Sequence, residues 1–466
     1  MSRKLCTGNY VAGYALAVAG EANRSARGVA AGGYPITPQS EILEFLRGFR
    51  FTKGRVQPVE SEHSAMALCM GASLAGARTF TASSSNGLMY MVENIYAAGF
   101  CRLPVVMVAV NRTIGPPWNL WVDQGDTLAL RDTAWLQFYC ESHQEICDTV
   151  LMAFRIAEDP RVLLPVIVAY DGFIVSHTST GVDLPDQELV DKYLPCCEVP
   201  HRLDHKRPYM AGAIVSPEDT ASHRHELEQA MAQVPEVLEE ARAEFRKIFG
   251  RTPDGALAEH HTEDAELVLI ACNSIASTAR QTVDDLRVRG HRVGLIKLKQ
   301  FRPFPREQLR RAIGKASRLG VLDRNISPGS GGIFWQEVCA TFVGRSDLVI
   351  QDYLLGLGGG DVTQDIIERI VADLAARPAS GAPAWPEHNA SNPEVDALIE
   401  EAALATSLDA RRQLLQKVMR RYVADRAAIP LFSTQQIHAV RPGIECTPRL
   451  DGTFLLRDVR LGPVPS

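Results

Sequence analysis

Three stretches of this 466-residue chain carry side chains that could do chemistry together: Gly32-Gly33-Tyr34-Pro35-Ile36-Thr37-Pro38, Glu60-Ser61-Glu62-His63 and Asn111-Arg112. In the first, glycines free the backbone at a strand end and two prolines stiffen the turn that follows. Thr37 can cap the next helix and Pro38 can take its first position. The Thr37 hydroxyl then stands at a helix N-terminus, where a carboxylate substrate could sit. Glu62 falls in the first turn of another helix, a place the dipole alone favours for a carboxylate. Arg112 follows an apolar run, where arginine is more often a structural ion-pair partner than a substrate clamp. Each signal is weak alone. The glycine runs 329–332 and 356–360 match no phosphate-loop spacing and read as tight turns.

The elements that must position these residues follow from periodicity. Residues 28–170 alternate short apolar strands with helices, the pattern of an α/β sheet. Residues 28–31 and 163–170 read as strands, 38–48 and 61–75 as helices. The continuous apolar run 103–110 is the mark of a buried parallel strand, so Asn111 and Arg112 fall at its C-terminal end, where open sheets place ligands. Near the N-terminus an alanine-rich run imitates a signal peptide, but Thr7-Gly8-Asn9 interrupts it and a helix capped near Asn9 explains it better. A charged helix spans about 225–249. The strand and helix pattern then restarts, with strands at 267–271, 293–298, 319–322 and 348–351. The predicted fold class is α/β, with a first domain over 1–255, a smaller one over 256–375, a linker over 376–390 and a short α+β tail over 391–466.

Composition narrows the function. An apolar content of 46% with 22% charged residues is ordinary for a soluble globular chain. A net charge of −6 leaves no basic footprint, so neither nucleic acid nor an anionic membrane is expected as a partner. The ten cysteines are scattered without any Cys-x-x-Cys, which argues against a cluster or zinc ribbon on this chain and for reduced thiols in the cytoplasm.

The combination of motifs changes the odds. Tyr34-Pro35-Ile36-Thr37-Pro38, Glu60-Ser61-Glu62, Thr81-Ala82-Ser83, Arg112, Arg131-Asp132-Thr133, Asp171-Gly172-Phe173, Gly294-Leu295-Ile296-Lys297 and Arg302-Pro303-Phe304 occur in a familiar order. With them the chain resembles the α subunit of the pyruvate:ferredoxin oxidoreductase family, the thiamine-diphosphate-dependent 2-oxoacid:acceptor oxidoreductases, over about residues 5–375. The resemblance implies a thiamine-diphosphate-binding domain of the pyrimidine type followed by a domain like the C-terminal one of transketolase. It implies that Glu62 hydrogen-bonds a nitrogen of the aminopyrimidine ring. A protonated glutamate there favours the tautomer whose exocyclic nitrogen can take a proton, so Glu62 must be buried beside an apolar ring and keep its own proton. Glu60 is the lesser candidate. Thr37 and Arg112 resemble the family's substrate contacts, and the arginine fork suits a carboxylate because it donates two parallel hydrogen bonds.

The implied reaction is oxidative decarboxylation of a 2-oxoacid to an acyl-CoA, with coenzyme A as co-substrate and electrons leaving through iron-sulfur clusters to ferredoxin or an NAD-linked subunit. Pyruvate is the commonest substrate, while Gly115-Pro116-Pro117-Trp118 could shape a pocket for a branched or aryl 2-oxoacid such as phenylglyoxylate. The chain has no Gly-Asp-Gly with a following Asn for magnesium and diphosphate. The resemblance therefore implies a β subunit carrying the cofactor's diphosphate, Mg2+ and a cluster, with γ and ferredoxin-like δ subunits, in an obligate hetero-oligomer. Two alternatives remain open: a transketolase-like subunit of a lipoamide-type 2-oxoacid dehydrogenase, and a non-catalytic solute-binding module. The second arises from the tail, where Asn392-Pro393-Glu394-Val395, Ala428-Ile429-Pro430-Leu431 and Leu456-Arg457-Asp458 resemble the end of periplasmic peptide-binding proteins of ABC importers. Most of that fold is missing, so the tail is expected to be a docking or assembly-stabilising appendage.

Overall fold

The computed structural model describes residues 2–206, 208, 210–386, 393–405, 407–424, 444–446 and 459–461. The apolar run ending in Asn111 is the middle of a parallel sheet. Strand β1 (Ser2–Thr7) leads into α1 (Gly8–Glu21), and the chain then alternates through β2 (Val29–Gly33), α2 (Ser40–Gly48), β3 (Gly54–Pro58), α3 (Glu62–Leu74) and β4 (Arg78–Ser83). It continues through α4 (Ser85–Tyr90), α5 (Val92–Phe100), β5 (Val105–Asn111), α6 (Gly125–Leu128), β6 (Leu136–Cys140), α7 (His143–Ala157) and β7 (Val166–Asp171). The strands pair in the order β6-β7-β5-β4-β2-β3, all parallel. Every residue of β4, β5 and β7 is buried, which requires helices on both faces. One face is covered by α1, α2 and α7, and the other by α3 and α5.

Helix α1 explains its own composition. Most of its residues are buried against neighbouring helices, and a helix apolar all round belongs inside a protein as readily as in a membrane. Its cap is Thr7, whose hydroxyl accepts from the Tyr10 amide at 3.2 Å, rather than Asn9. The Asn9 side chain is buried and donates to the Pro38 carbonyl at 2.6 Å. After β7, β8 (Ser179–Leu184) pairs antiparallel with β1, α8 (Gln187–Tyr193) follows, and α9 (Pro217–Phe249) begins well before the residue 225 expected of the charged helix.

The second sheet is built from β9 (Leu257–His260), β10 (Leu267–Ala271), α10 (Asn273–Val288), β11 (Val293–Leu298), β12 (Gln300–Arg302), α11 (Arg306–Ala312), β13 (Arg318–Asp323), α12 (Ile333–Thr341), β14 (Val349–Leu354) and α13 (Gln364–Ala376). Its order is β14-β13-β10-β11-β9, parallel except for the edge strand β9. Strand β12 crosses back and pairs antiparallel with β6 of the first sheet. Met66, Met107 and Trp135 share one apolar cluster with Val268, Ile296 and Phe301, so the two sheets bury surface against each other. The Ala- and Pro-rich stretch read as the start of a linker runs along β14: the Leu354 amide donates to the Ala384 carbonyl at 2.8 Å, and the Ala384 amide to the Asp352 carbonyl at 2.9 Å.

Residues from His388 on form a separate unit. In it α14 (Pro393–Leu404) packs on α15 (Leu408–Ala424), with Ala402 and Val418 buried between them, and β15 (Ile444–Cys446) pairs antiparallel with β16 (Val459–Leu461). Of the motifs that carry the importer resemblance, Asn392 and the segments 428–431 and 456–458 lie outside the described residues. Among the described residues no helix is long and apolar enough to cross a membrane.

Candidate active site

From β2 the chain steps outward to β3, then returns past β2 to β4. The loops leaving β2 and β4 therefore diverge to opposite faces of the sheet, and the crevice between them is the switch point where open α/β sheets bind ligands. Thr37 lies in the first loop and Ser83 at the end of β4. Glu62 opens α3, which packs beside β2 and β4.

Ser61 caps α3 by accepting from the Ser64 amide at 3.2 Å, which puts Glu62 in the first helical position. There its side chain is turned inward and only 6% exposed. Among the described residues the Glu62 carboxyl has no hydrogen-bond or ion-pair partner. A buried carboxyl left alone is costly, and its presence points to a partner outside the chain. A Cβ at Gly87 would stand 2.6 Å from the Glu62 carboxyl oxygen and 2.6 Å from the Ser83 hydroxyl, so only glycine fits there. The Ser83 hydroxyl is itself buried without a partner. Glu60, by contrast, is exposed and accepts from the Ser64 hydroxyl, a bond that holds its carboxyl below the usual range.

Thr37 does not cap α2. The Gln39 amide donates to the Ile36 carbonyl at 2.9 Å and the Gln39 side chain to the Tyr34 carbonyl at 2.8 Å, which closes a turn and delays the helix to Ser40. Thr37 is left exposed in that turn, and its carbonyl accepts from Arg112 Nη1 at 2.6 Å. Two of the residues singled out in the sequence are thus joined directly. Arg112 is buried, its Nε has no partner, and burial pulls its guanidinium downward in pKa against the pull of Asp126. Most of its fork is free to meet a ligand carboxylate.

Sequence reasoning missed Asp126, the residue that holds this corner together. It lies fully buried in α6 and accepts four bonds: Asn111 Nδ2 at 2.8 Å and the Thr127 amide at 2.8 Å on one oxygen, the Ser85 amide at 2.9 Å and the Arg112 amide at 3.1 Å on the other. Burial pushes its carboxyl up to about 7, although four N–H donors favour the anion. Ser85 sits at φ +50°, a strained conformation for a non-glycine residue, and its bonds to Asp126 and to the Thr113 carbonyl fix it there. The small polar run Ser83 to Gly87 was the available signal.

The second sheet buttresses the same edge. Asp171, at the end of β7, accepts from Arg324 Nη1 at 2.8 Å, Asn273 Nδ2 at 2.8 Å and the Ser274 hydroxyl at 2.5 Å. The glycine run 356–360 forms the tight turns expected of it, and the Gly359 amide donates to the Val122 carbonyl at 3.0 Å. Gly359 has φ +82° and lies against Trp121, where a Cβ would come within 2.4 Å of that side chain, so this turn pins the loop after Arg112.

A doubly wound α/β domain with a buried carboxyl at its switch point is thus braced by a second, mostly parallel sheet. Residues 21–243 match the family model described as "Pyruvate flavodoxin/ferredoxin oxidoreductase, thiamine diP-bdg", and residues 265–367 match "Pyruvate:ferredoxin oxidoreductase core domain II". The chain is 44% identical to the pyruvate synthase subunit PorA of Methanothermobacter thermautotrophicus over 72% of its length and 88% of that protein. It is 40% identical to the ketoisovalerate oxidoreductase subunit VorA of Pyrococcus abyssi over 80% of its length and 93% of that protein. The chain belongs to the pyruvate:ferredoxin oxidoreductase family. A solved 2-oxoglutarate:ferredoxin oxidoreductase from Magnetococcus marinus, with 2-oxoglutarate, coenzyme A and succinyl-CoA bound, shares the fold at a TM-score of 0.62 and 18% identity, over 80% of this chain and 65% of that one.

Proposed function

We propose that this chain is the α subunit of a cytoplasmic thiamine-diphosphate-dependent 2-oxoacid oxidoreductase that converts pyruvate, or a branched or aryl 2-oxoacid, to its acyl-CoA. The observation that carries the reading is the Glu62 carboxyl, buried, without a partner among the described residues and packed so closely on Gly87 that no larger residue fits there. The donor set fits the aminopyrimidine end of thiamine diphosphate, which when bound supplies the chemistry of decarboxylation. Glu62 holds a proton toward the ring nitrogen. Arg112, anchored on Thr37 and on Asp126, presents its free fork to the substrate carboxylate, and Thr37 lines the approach.

The partner reading rests on what surrounds this corner. Ile114, Trp118, Leu120 and Trp121 stand exposed on the loop after Arg112, and Tyr34 and Ile174 are exposed in the loops that follow β2 and β7. An apolar patch of that size suits burial against another subunit. We assign that subunit the cofactor's diphosphate and Mg2+, with iron-sulfur clusters there and on γ and ferredoxin-like δ subunits, and ferredoxin or an NAD-linked subunit as acceptor. The nine described cysteines are all free thiols, consistent with the cytoplasm.

The test is viologen reduction by the purified complex with coenzyme A and a panel of 2-oxoacids. Coenzyme-A-dependent reduction with one acid supports the reading and names the substrate. Silence across the panel, from a complex shown to contain thiamine diphosphate and iron, overturns it. With the preferred acid, Arg112→Lys keeps the charge but loses the fork. KM for the 2-oxoacid is expected to rise about tenfold or more with a smaller change in kcat, the pattern of lost substrate binding. An unchanged KM would remove Arg112 from the substrate site.

For the tail, we propose a remnant of a periplasmic peptide-binding protein kept as an assembly-stabilising appendage. Because residues 380–384 are bonded to β14, the truncation that isolates its role ends at Pro386. The truncated chain is expected to keep its specific activity and to lose subunits on dilution more readily than the full chain, measured by size-exclusion chromatography. Identical dissociation would leave the tail without this role.

A further inference from the structure

Away from the switch point, on the outer edge of the second sheet, three metal-ligating side chains converge. His260 ends β9 and His261 follows it, and Asp284 projects from α10, which packs on the same sheet. His260 Nε2 lies 2.7 Å and His261 Nε2 3.1 Å from the same Asp284 oxygen. Successive residues of a strand point to opposite faces, so two adjacent histidines cannot ordinarily aim at one atom. Here they do because His261 leaves the strand at φ +54°, a left-handed conformation that a bulky side chain adopts only when the surroundings enforce it. The enforcing group is Arg287, one turn along α10 from Asp284, which donates to the His261 carbonyl at 2.6 Å and to the Val293 carbonyl at 2.6 Å. The strained backbone brings the two rings to 4.3 Å between centroids.

We propose that His260, His261 and Asp284 form a binding site for a divalent transition metal of the zinc class. Two imidazoles and one carboxylate are the borderline donors that zinc takes, at about 2.0–2.2 Å each. A tetrahedral ion with such bonds separates its ligand atoms by about 3.3 Å. The His261 separation is about 0.2 Å short of that and the His260 separation about 0.6 Å short, so the His260 ring must swing outward to take an ion, and all three donor atoms lie within 4.8 Å of one another. The side chains are 29%, 45% and 43% exposed, so the fourth position opens to water and the ion can enter without unfolding the sheet. A metal here ties the antiparallel edge strand β9 to α10. This site is independent of the thiamine reading.

The test is zinc titration of the full chain, in whatever assembly it purifies with, after chelator treatment, using a chromophoric chelator in competition at pH 7.5. The expected result is one equivalent of Zn2+ bound by the natural chain beyond what His260→Ala, His261→Ala and Asp284→Asn each retain, with affinity at this site lowered at least about tenfold in every variant. The thermal midpoint of the natural chain is expected to rise with added Zn2+ and that of Asp284→Asn to stay put, since only a ligand held by the folded state stabilises it. Equal zinc content in the natural chain and any one variant overturns the site and leaves the cluster a hydrogen-bonded ion pair only. The variants change exposed side chains, and equal midpoints without zinc establish that each is folded.

Discussion

Replacing Glu62 with glutamine is expected to lower turnover by about 10²–10⁴-fold, the range ordinarily lost with a positioned acid or base, while leaving the complex assembled. The amide has the shape of the carboxyl it replaces, so Gly87 and Ser83 still fit against it. What it loses is the proton that a carboxylic acid can hold toward the cofactor ring. Stability gives the control. The amide is about as polar as the carboxylic acid it replaces and equally without a partner among the described residues, so the thermal midpoint is expected to stay unchanged. Activity and stability therefore move independently. Viologen reduction and the midpoint are measured on the same preparation, and normal turnover in Glu62→Gln would sink the assignment of this residue.

The second large effect is on the scaffold. Asp126→Asn turns one of two accepting oxygens into an N–H2 group that faces backbone or side-chain donors it cannot satisfy. Whichever way the amide lies, two of the four groups from Asn111, Ser85, Arg112 and Thr127 lose their acceptor. Each buried donor left unmet costs about 1–3 kcal/mol, so a loss of about 3 kcal/mol is expected in denaturant unfolding, if the transition stays two-state. The same change frees the Arg112 backbone and the strained Ser85, and kcat/KM is expected to fall with it. A stability loss below about 1 kcal/mol, with catalysis intact, would show that the Asp126 network holds nothing the site needs.

The proposed zinc cluster and the switch-point corner lie on different sheets. The switch-point crevice lies on the first sheet, braced by Arg324 and the turn at Gly359 from the second. The His260, His261 and Asp284 cluster lies on the opposite edge strand of that second sheet. The buttress at Asp171 shows why the two domains act as one support: a buried carboxylate ringed by Arg324, Asn273 and Ser274 is costly to separate from its partners.

The sequence by itself determined the α/β class, the apolar strands at the middle of both sheets and the family. Strands such as β5 and β7 are buried on both faces, so their apolar runs are continuous and readable from neighbouring residues alone. Ser61 and Glu62 were equally legible, because a cap and a first-turn carboxylate are local signals. Only the tertiary structure decided the rest. Thr37 had every local feature of a helix cap, yet Gln39 and the distant Asn9 close the turn around it and move the helix start to Ser40. Asp126 carried no local signal, since its four partners are fixed by where the ends of β4 and β5 meet α6. Gly87 reads as an ordinary small residue until α3 brings Glu62 against it. Periodicity and capping are written within a turn or two of chain, whereas a binding site depends on which strand ends the sheet order makes neighbours.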